Sequence, residues 1–415
     1  VRTYLDHAAT TPVRPEVSSQ VADDLAEGLG GWANPAALHS SGRRAGALLA
    51  QARARLADAL AVDPHEVLFT SGGTEADALV VTGRVLAARA AHPNAAPHLV
   101  VSPIEHPAVL QTARAAVTHL GAHLSELEVD AAGRVAIQSL TRAVTPGSGA
   151  GGRRRGEWTP PALVSVMAAN NETGLVQDMA ALVGAVREAT DAPSPRNAGY
   201  VPVHSDAVAA LGKTTVDLHG WGLDAMSITG HKIGAPVGVG ALVARRDLDL
   251  VAVSGGGRQE RGLRSGTQDV VAARALALAV ELAVTERREE AARLEALRTR
   301  LLEGACALPG VHATLPADAA HLGAIAHLWF ERADAEALLM SLDLAGVDAS
   351  AGSACHAGVA GPSHVLEAMG LGSDAARATL RCSLGATTRP EDIERLLAVL
   401  PGALAAARNA AAARR

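Results

Sequence analysis

From about residue 46 onward, alanine-rich stretches with apolar positions at helical spacing alternate with short, continuous apolar runs. The runs are "EVLFT" at 66–70, "HLVVS" at 98–102, "ALVSVMAA" at 162–169, "YVPVHS" at 200–205, "AMSIT" at 225–229 and "VGALVA" at 239–244. A brief apolar run bounded by turn residues suits a strand buried on both faces. The alternation therefore predicts an α/β domain on a largely parallel sheet. Several runs end in polar or glycine-rich text, where open α/β sheets place ligands. Beyond about residue 256 the rhythm changes to one long helical stretch, "DVVAARALAL" through "EGACALPG", then short strands and helices up to "RPEDIERLLAVLPGALAAAR". The expected division is a large α/β domain over 16–255 and a smaller α+β domain built from 1–15 and 256–415. The segments at 145–161 and 190–199, rich in Gly, Pro, Ser or charge, read as surface loops. The terminal "AAARNAAAARR" reads as a weak helix or a disordered tail.

Composition narrows the function. With 415 residues, 48% of them apolar, the chain can fill sizeable cores. A net charge of −6 gives no basic field for nucleic acid or an anionic membrane, which leaves a small molecule as the expected partner. Asp6 and His7 interrupt any signal-like start, and no apolar run approaches the roughly 18 residues of a membrane helix. The expected location is the cytoplasm. Cys306, Cys355 and Cys382 are odd in number and widely spaced, which suits neither a disulfide framework nor a zinc site. Of 37 lysines and arginines only Lys213 and Lys232 are lysine. Where arginine serves nearly every cationic role, a retained lysine is a candidate for work that needs a neutral amine.

Seven stretches could carry chemistry. "FTSGGTEADAL" sets Ser71, Gly72, Gly73 and Thr74 between a strand and a helix; main-chain N–H groups and the Thr74 hydroxyl there could cradle a phosphate, although an ordinary βα turn reads the same way. "VPVHSDAVAALGK" ends a strand at Asp206, and "AMSITGHKIG" ends the next at Thr229, Gly230, His231 and Lys232. A phosphate cradle, an aspartate and a lysine on one sheet edge are the parts pyridoxal phosphate needs: a Schiff-base amine and a carboxylate for the pyridine nitrogen. Lys213 follows a helical turn and reads as a surface or supporting residue. His106 in "IEHPAVL" stands at a helix start, able to stack on a flat group and move protons, or simply to cap the helix. Asn170 and Asn171 in "AANNETG" could bind a phenolic oxygen or a carboxylate, or form a turn. Arg381 in "ATLRCSLG" is a natural α-carboxylate clamp or a strand salt bridge. Alternation points Cys382 to the opposite face, a buried bystander, with Cys306 read likewise. Cys355, in "ASAGSACHAGVAGPS", has almost nothing around it to pack.

Taken together, the chain resembles the cysteine desulfurases of the class V aminotransferase family. The likeness runs in family order through "YLDHAATTPV", "LFTSGGTEADAL", "EHPAVL", "NNETGLVQD", "SITGHKIGAPVGVGAL", "RGLRSGT", "SAGSACHAG" and "LRCSLG". It implies a fold-type I pyridoxal-phosphate enzyme with a mixed, mostly parallel sheet in the large domain and a mobile cysteine loop in the small one. By that resemblance Lys232 carries pyridoxal 5'-phosphate, Asp206 pairs with its ring nitrogen and His106 stacks on the ring. Gly73, Thr74, Thr229 and His231 hold the phosphate, with Thr267 reaching it from the partner subunit of a homodimer. Asn171 contacts the phenolic oxygen and Arg381 binds the substrate carboxylate. The implied reaction takes L-cysteine to L-alanine: Lys232 removes the α-proton, and Cys355 takes the sulfur as a persulfide for an acceptor protein such as an iron–sulfur scaffold. One position departs from the pattern, since Ala209 stands where the family has glutamine. Other expectations are a selenocysteine lyase or another class V enzyme, or a cofactor-binding scaffold without turnover. A thiol-redox or metal protein using Cys355 and His356 lacks partner ligands nearby.

Overall fold

The computed structural model of the chain describes residues 2–29, 34–146, 159–195, 197, 199–351 and 362–413. Its strands are β1 (Thr3–Tyr4), β2 (Val67–Thr70), β3 (His98–Val101), β4 (His123–Glu126), β5 (Leu163–Ser165), β6 (Val203–Asp206), β7 (Ala225–Thr229), β8 (Gly240–Ala244), β9 (Val311–Ala313), β10 (Ile325–Phe330), β11 (Val347–Asp348) and β12 (Thr379–Ser383). Its helices are α1 (Pro15–Ala26), α2 (Ser40–Leu60), α3 (Gly73–Ala91), α4 (Pro107–Leu120), α5 (Ile137–Val144), α6 (Met179–Thr190), α7 (Val270–Cys306), α8 (Ala335–Leu344), α9 (His364–Ala368), α10 (Ser373–Arg377) and α11 (Pro390–Ala413).

Seven strands form one sheet in the order β2-β8-β7-β6-β5-β3-β4. β3, β4, β5, β6 and β7 run parallel, while β8 lies antiparallel to both of its neighbours, β2 and β7. Successive strand residues serve opposite faces. Leu68, Leu99, Leu163 and Leu242 pack under α3 and α4, whereas Val67, Phe69, Val100, Val164 and Val243 pack with α2, α6 and the first half of α7. With both faces covered, the strands read as the continuous apolar runs seen in the sequence. The run at 162–169 supplies the three-residue β5 and then continues alongside β6, with Val166 N and Ala168 N donating to His204 O and Asp206 O, to form part of a cavity wall at Met167.

A second core gathers both ends of the chain. Leu5, Leu301, Leu328, Phe330, Leu342, Leu380, Leu396 and Leu400 close around the antiparallel sheet β12-β10-β9, and β1 pairs in parallel with β11. Helix α7, about 55 Å long at 1.5 Å per residue, lends Leu276 and Val280 to the large core and Leu294, Leu297 and Leu301 to the second. Among the described residues one helix, α11, is long and apolar enough to cross a membrane. Its inner face, with Ile393, Leu396, Leu400 and Leu404, belongs to the second core, so its apolar character has a packing role. The terminal alanines extend this helix as far as Ala413.

Candidate active site

The carboxyl ends of β2, β3, β5, β6 and β7 open into a cavity of about 630 Å³. Chain order puts Gly73 and Thr74 after β2, His106 after β3, Asn171 after β5, Asp206 at the end of β6, and Thr229, His231 and Lys232 at and after β7; all line this space, as does Arg381 from β12.

The rim at α3 is built for close approach. A Cβ on Gly73 would stand 2.7 Å from Val208 Cγ2, so only glycine lets the helix start nestle against the loop after β6. The Gly72 position offers no side-chain cap, which leaves first-turn N–H groups of α3 to the cavity. Thr74, Thr229 and His231 stand beside that helix end in the cavity wall. His231 is tied to the N-terminal segment through its carbonyl, which accepts from Thr11 N at 3.0 Å. Burial, Lys232 and Lys213 push its pKa down. Donors aimed from a helix start favour an anion.

Deeper in, His106 caps α4 by accepting the Ala108 N–H on Nδ1 at 3.1 Å, which places the ring proton of the neutral imidazole on Nε2. Capping and cavity lining are thus the same residue's work. Burial lowers its pKa, with the Asp206 charge opposing. Asp206 is 4% exposed and accepts the Val208 N–H at 2.8 Å. Ala209 lines the wall beside it and brings no donor.

Both lysines of the chain meet here. Desolvation holds the Lys232 pKa below its usual value, although Asp206 pulls the other way. Lys213 is half-buried and acts as a supporting residue: desolvation and the charge of Lys232 push it down to about 8.

At the other end Arg381 is buried. Its Nη2 donates to Asp6 Oδ1 at 2.8 Å and its Nη1 to the Asn171 carbonyl at 3.0 Å, while Nε has no hydrogen-bond partner among the described residues. The arginine therefore makes a strand salt bridge and still lines the cavity. The two asparagines divide their roles. Asn170 builds the turn, accepting from Glu172 N and Thr173 N and donating to Ile104 O, and Asn171 alone lines the cavity.

Cys355 and His356 lie outside the described residues, as does most of the 145–161 loop; Ser350 and Pro362, on either side of that cysteine segment, both line the cavity. Thr267 is exposed and away from the cavity. Cys382 is fully buried and its thiol is pushed up to about 12 by burial, which makes it inert. Cys306 is not the buried bystander expected: it ends α7 and is exposed, because Ala305 beside it takes the position facing the second core.

Three wall residues were missed. Asp77 sits one turn into α3, buried at 1% exposure, and breaks the apolar text "ADALVV", a signal that was available. Glu172 accepts the Ser363 hydroxyl at 2.5 Å, and His364 Nε2 donates to the Glu105 carbonyl at 3.0 Å. Those two pair segments about 190 and 260 residues apart, which no local pattern reports.

The class-V aminotransferase model matches residues 3–396. An IscS-like cysteine desulfurase of Mycobacterium tuberculosis (strain ATCC 25618 / H37Rv) is 43% identical over 411 residues, 99% of this chain and 98% of that protein. A solved NifS-like protein superposes with a TM-score of 0.84 at 30% identity, over 98% of this chain and 100% of that one. The structure of SspA in complex with cysteine gives 0.73 at 29% identity, over 92% and 98%. Enzymes of this kind depend in general on pyridoxal phosphate. With the match running from the first strand into the last helix, the chain belongs to the class-V aminotransferase family.

Proposed function

We propose that this protein is a cysteine desulfurase, which converts L-cysteine to L-alanine and passes the sulfur to Cys355 as a persulfide. The observation that carries the reading is the meeting of Lys232, Asp206, the start of α3 and Arg381 in one cavity.

The residues present fit pyridoxal phosphate. Gly73 leaves no room for a Cβ at the helix start, Asp206 is a buried carboxylate, and Lys232 is an amine whose charged form is disfavoured. Gly73, Thr74, Thr229 and His231 would hold the phosphate, Asp206 the ring nitrogen, His106 the ring face and Asn171 the phenolic oxygen, with Lys232 as the covalent anchor. Bound there, the cofactor supplies an electron sink for the substrate α-carbon. Arg381 would take the α-carboxylate, since its fork has donors left after Asp6 and Asn171 are served. Lys232 Nζ, as free base, accepts the α-proton; desolvation favours that form by holding its pKa below the usual lysine value. His106 keeps its own proton on Nε2, a second proton carrier beside the ring. In the persulfide step the Cys355 sulfur, having lost its proton, bonds to the substrate sulfur; the substrate's carbon–sulfur bond breaks with its electron pair going to the carbon fragment, which takes up a proton and leaves as L-alanine.

The reading includes a homodimer, in which Thr267 of a second copy would reach a cradle that its own chain's Thr267 does not line. Residues 16–255 form the cofactor-binding part in this view, and 1–15 with 256–415 the part carrying the cysteine segment. The sulfur passes on to an acceptor protein, and two unpaired cysteines, Cys306 and Cys382, suit the reducing cytoplasm.

The test is alanine and sulfide release from L-cysteine by the purified protein, beside Cys355→Ser and Lys232→Ala. Wild type should make alanine, and both variants should lose it. Alanine formed equally by Cys355→Ser removes the persulfide step. A bound chromophore without alanine, even with reductant, leaves a binding scaffold. Cleavage of selenocysteine alone moves the assignment to a selenocysteine lyase.

A further inference from the structure

Behind Asp206 lies a second buried carboxyl group that the reaction above does not use. Asp77 projects from the first turns of α3 into the cavity wall with its side chain 2% exposed. Its Oδ1 is sealed from solvent, has no hydrogen-bond partner among the described residues, and stands 3.7 Å from His204 Nε2.

A chain of neutral groups leads to it. The Ser165 hydroxyl lies 2.9 Å from His204 Nδ1, and His204 Nε2 lies 3.0 Å from Ser227 Oγ, whose hydroxyl reaches Asp77. Ser165, His204, Ser227 and Asp77 are thus joined in one run of hydrogen bonds, in which serine hydroxyls and a neutral imidazole can each donate once and accept once. His204 is fully buried and its pKa is pushed down to about 3 by that burial, so it brings no positive charge. Ser227 is the register partner of Asp206 across the β6–β7 ladder, which sets the chain directly beside Asp206.

The titratable groups around Asp77 are Asp206 on β6, Glu105 after β3, itself pushed toward its neutral form by burial, and Lys232 after β7. Two of the three are carboxyl groups. Two carboxyl groups sharing a desolvated space cannot both ionise cheaply. Asp206 accepts a main-chain N–H and Asp77 Oδ1 has no donor at all, so the proton belongs on Asp77. Burial and the Asp206 charge raise its pKa accordingly.

We propose that Asp77 is a positioning residue: a carboxylic acid that keeps its proton behind Asp206, so that the single negative charge of the pair sits on Asp206, facing the pyridine nitrogen. Its role toward the cofactor rests on the pyridoxal-phosphate reading of the cavity; its being un-ionised does not.

Infrared difference spectroscopy of the cofactor-free protein at pH 7, wild type minus Asp77→Asn, tests the proton directly. The carbonyl stretch of an un-ionised carboxyl group should be present in wild type and lost in the variant; its absence from wild type overturns the inference. Should Asp77→Asn fail to fold, Ser227→Ala should shift the same band by removing its hydrogen bond, and an unmoved band overturns the inference equally. Titration with pyridoxal phosphate then tests the positioning. Asp77→Asn, which mimics the neutral acid, should keep the affinity and the pH midpoint of the bound chromophore. Asp77→Ala should weaken binding by roughly tenfold through a lost buried hydrogen bond. If Asp77→Asn moves the midpoint as far as Asp206→Asn does, Asp77 acts as an ion and the inference is wrong. If wild type binds no pyridoxal phosphate, the reading of the cavity fails while the infrared result still stands.

Discussion

Replacing Arg381 with lysine keeps a positive charge beside Asp6 and removes the planar fork. The Arg381 side chain is 6% exposed, with Nη2 on Asp6 at 2.8 Å and Nη1 on the Asn171 carbonyl at 3.0 Å. A single ammonium cannot hold Asp6, the Asn171 carbonyl and both oxygens of a substrate carboxylate at once. Loss of one charge-assisted hydrogen bond in such a site costs about 1.5–3 kcal/mol, which corresponds to about 10- to 150-fold in kcat/KM for L-cysteine. Because a carboxylate remote from the breaking bond is held alike before and during reaction, the loss should fall on KM with kcat little changed. Alanine formation over a range of L-cysteine concentrations measures both parameters, and a pyridoxal-phosphate titration should match wild type. A kcat/KM equal to that of wild type would refute the carboxylate clamp. A loss confined to cofactor affinity would place Arg381 in the cofactor site instead.

Three further outcomes are expected. Gly73→Ala should weaken pyridoxal-phosphate binding, since its Cβ would lie 2.7 Å from Val208 Cγ2; adding Val208→Ala should restore much of it, and equal affinities for both variants would remove the close approach as the cause. Ala209→Gln adds a donor to the cavity wall and should move the pH midpoint of the bound chromophore, read by absorbance; an unmoved midpoint means the side chain does not reach the Schiff-base region. His327 is buried with its pKa pushed down to about 3 by burial and Arg381. The unfolded chain binds that proton near pH 6.5 and the folded chain does not, so this residue removes stability as pH falls below about 6.5, at about 1.4 kcal/mol per pH unit. Buried acids such as Glu105 act in the opposite sense, because their raised pKa makes the folded chain hold a proton that the unfolded chain releases. The informative quantity is therefore the urea-unfolding difference between wild type and His327→Gln at pH 7.5 and 5.5; a difference that does not change with pH would mean that His327 is not held neutral.

Much of this architecture was legible because both sheet faces are covered. Leu99 and Val100 point opposite ways and are both buried, so each strand appears as a plain apolar run whose end marks the site. The lysine and aspartate were legible for a different reason: their neighbours in sequence are also their neighbours at a strand end. What stayed hidden depends on long-range packing. Lys213 looked peripheral because nothing local reports that it shares a desolvated region with Lys232, and Cys306 looked buried because nothing in "EGACALPG" tells which of Ala305 and Cys306 faces the core. Glu172 and His364 enter the site through Ser363 and Glu105, partners that lie far off in the chain. Asn170 and Asn171 could not be separated by residue type, since only the turn geometry decides which one caps and which one faces inward.

The reversed strand β8 has a consequence for the order in which the protein assembles. β2 joins the sheet only through β8, with Val67 opposite Val243, so the strand that carries the anion cradle has no place to dock until most of the large sheet's sequence has emerged. Such distant pairing carries a high loop-closure cost and forms slowly. Until it forms, β2 has both edges unpaired and the β2–α3 unit exposes an apolar face, the features that make intermediates of large α/β chains prone to associate. A ligand that bridges the α3 start and Lys232 spans this last junction, so it should act on folding as a clasp, favouring the closed sheet over its open precursor.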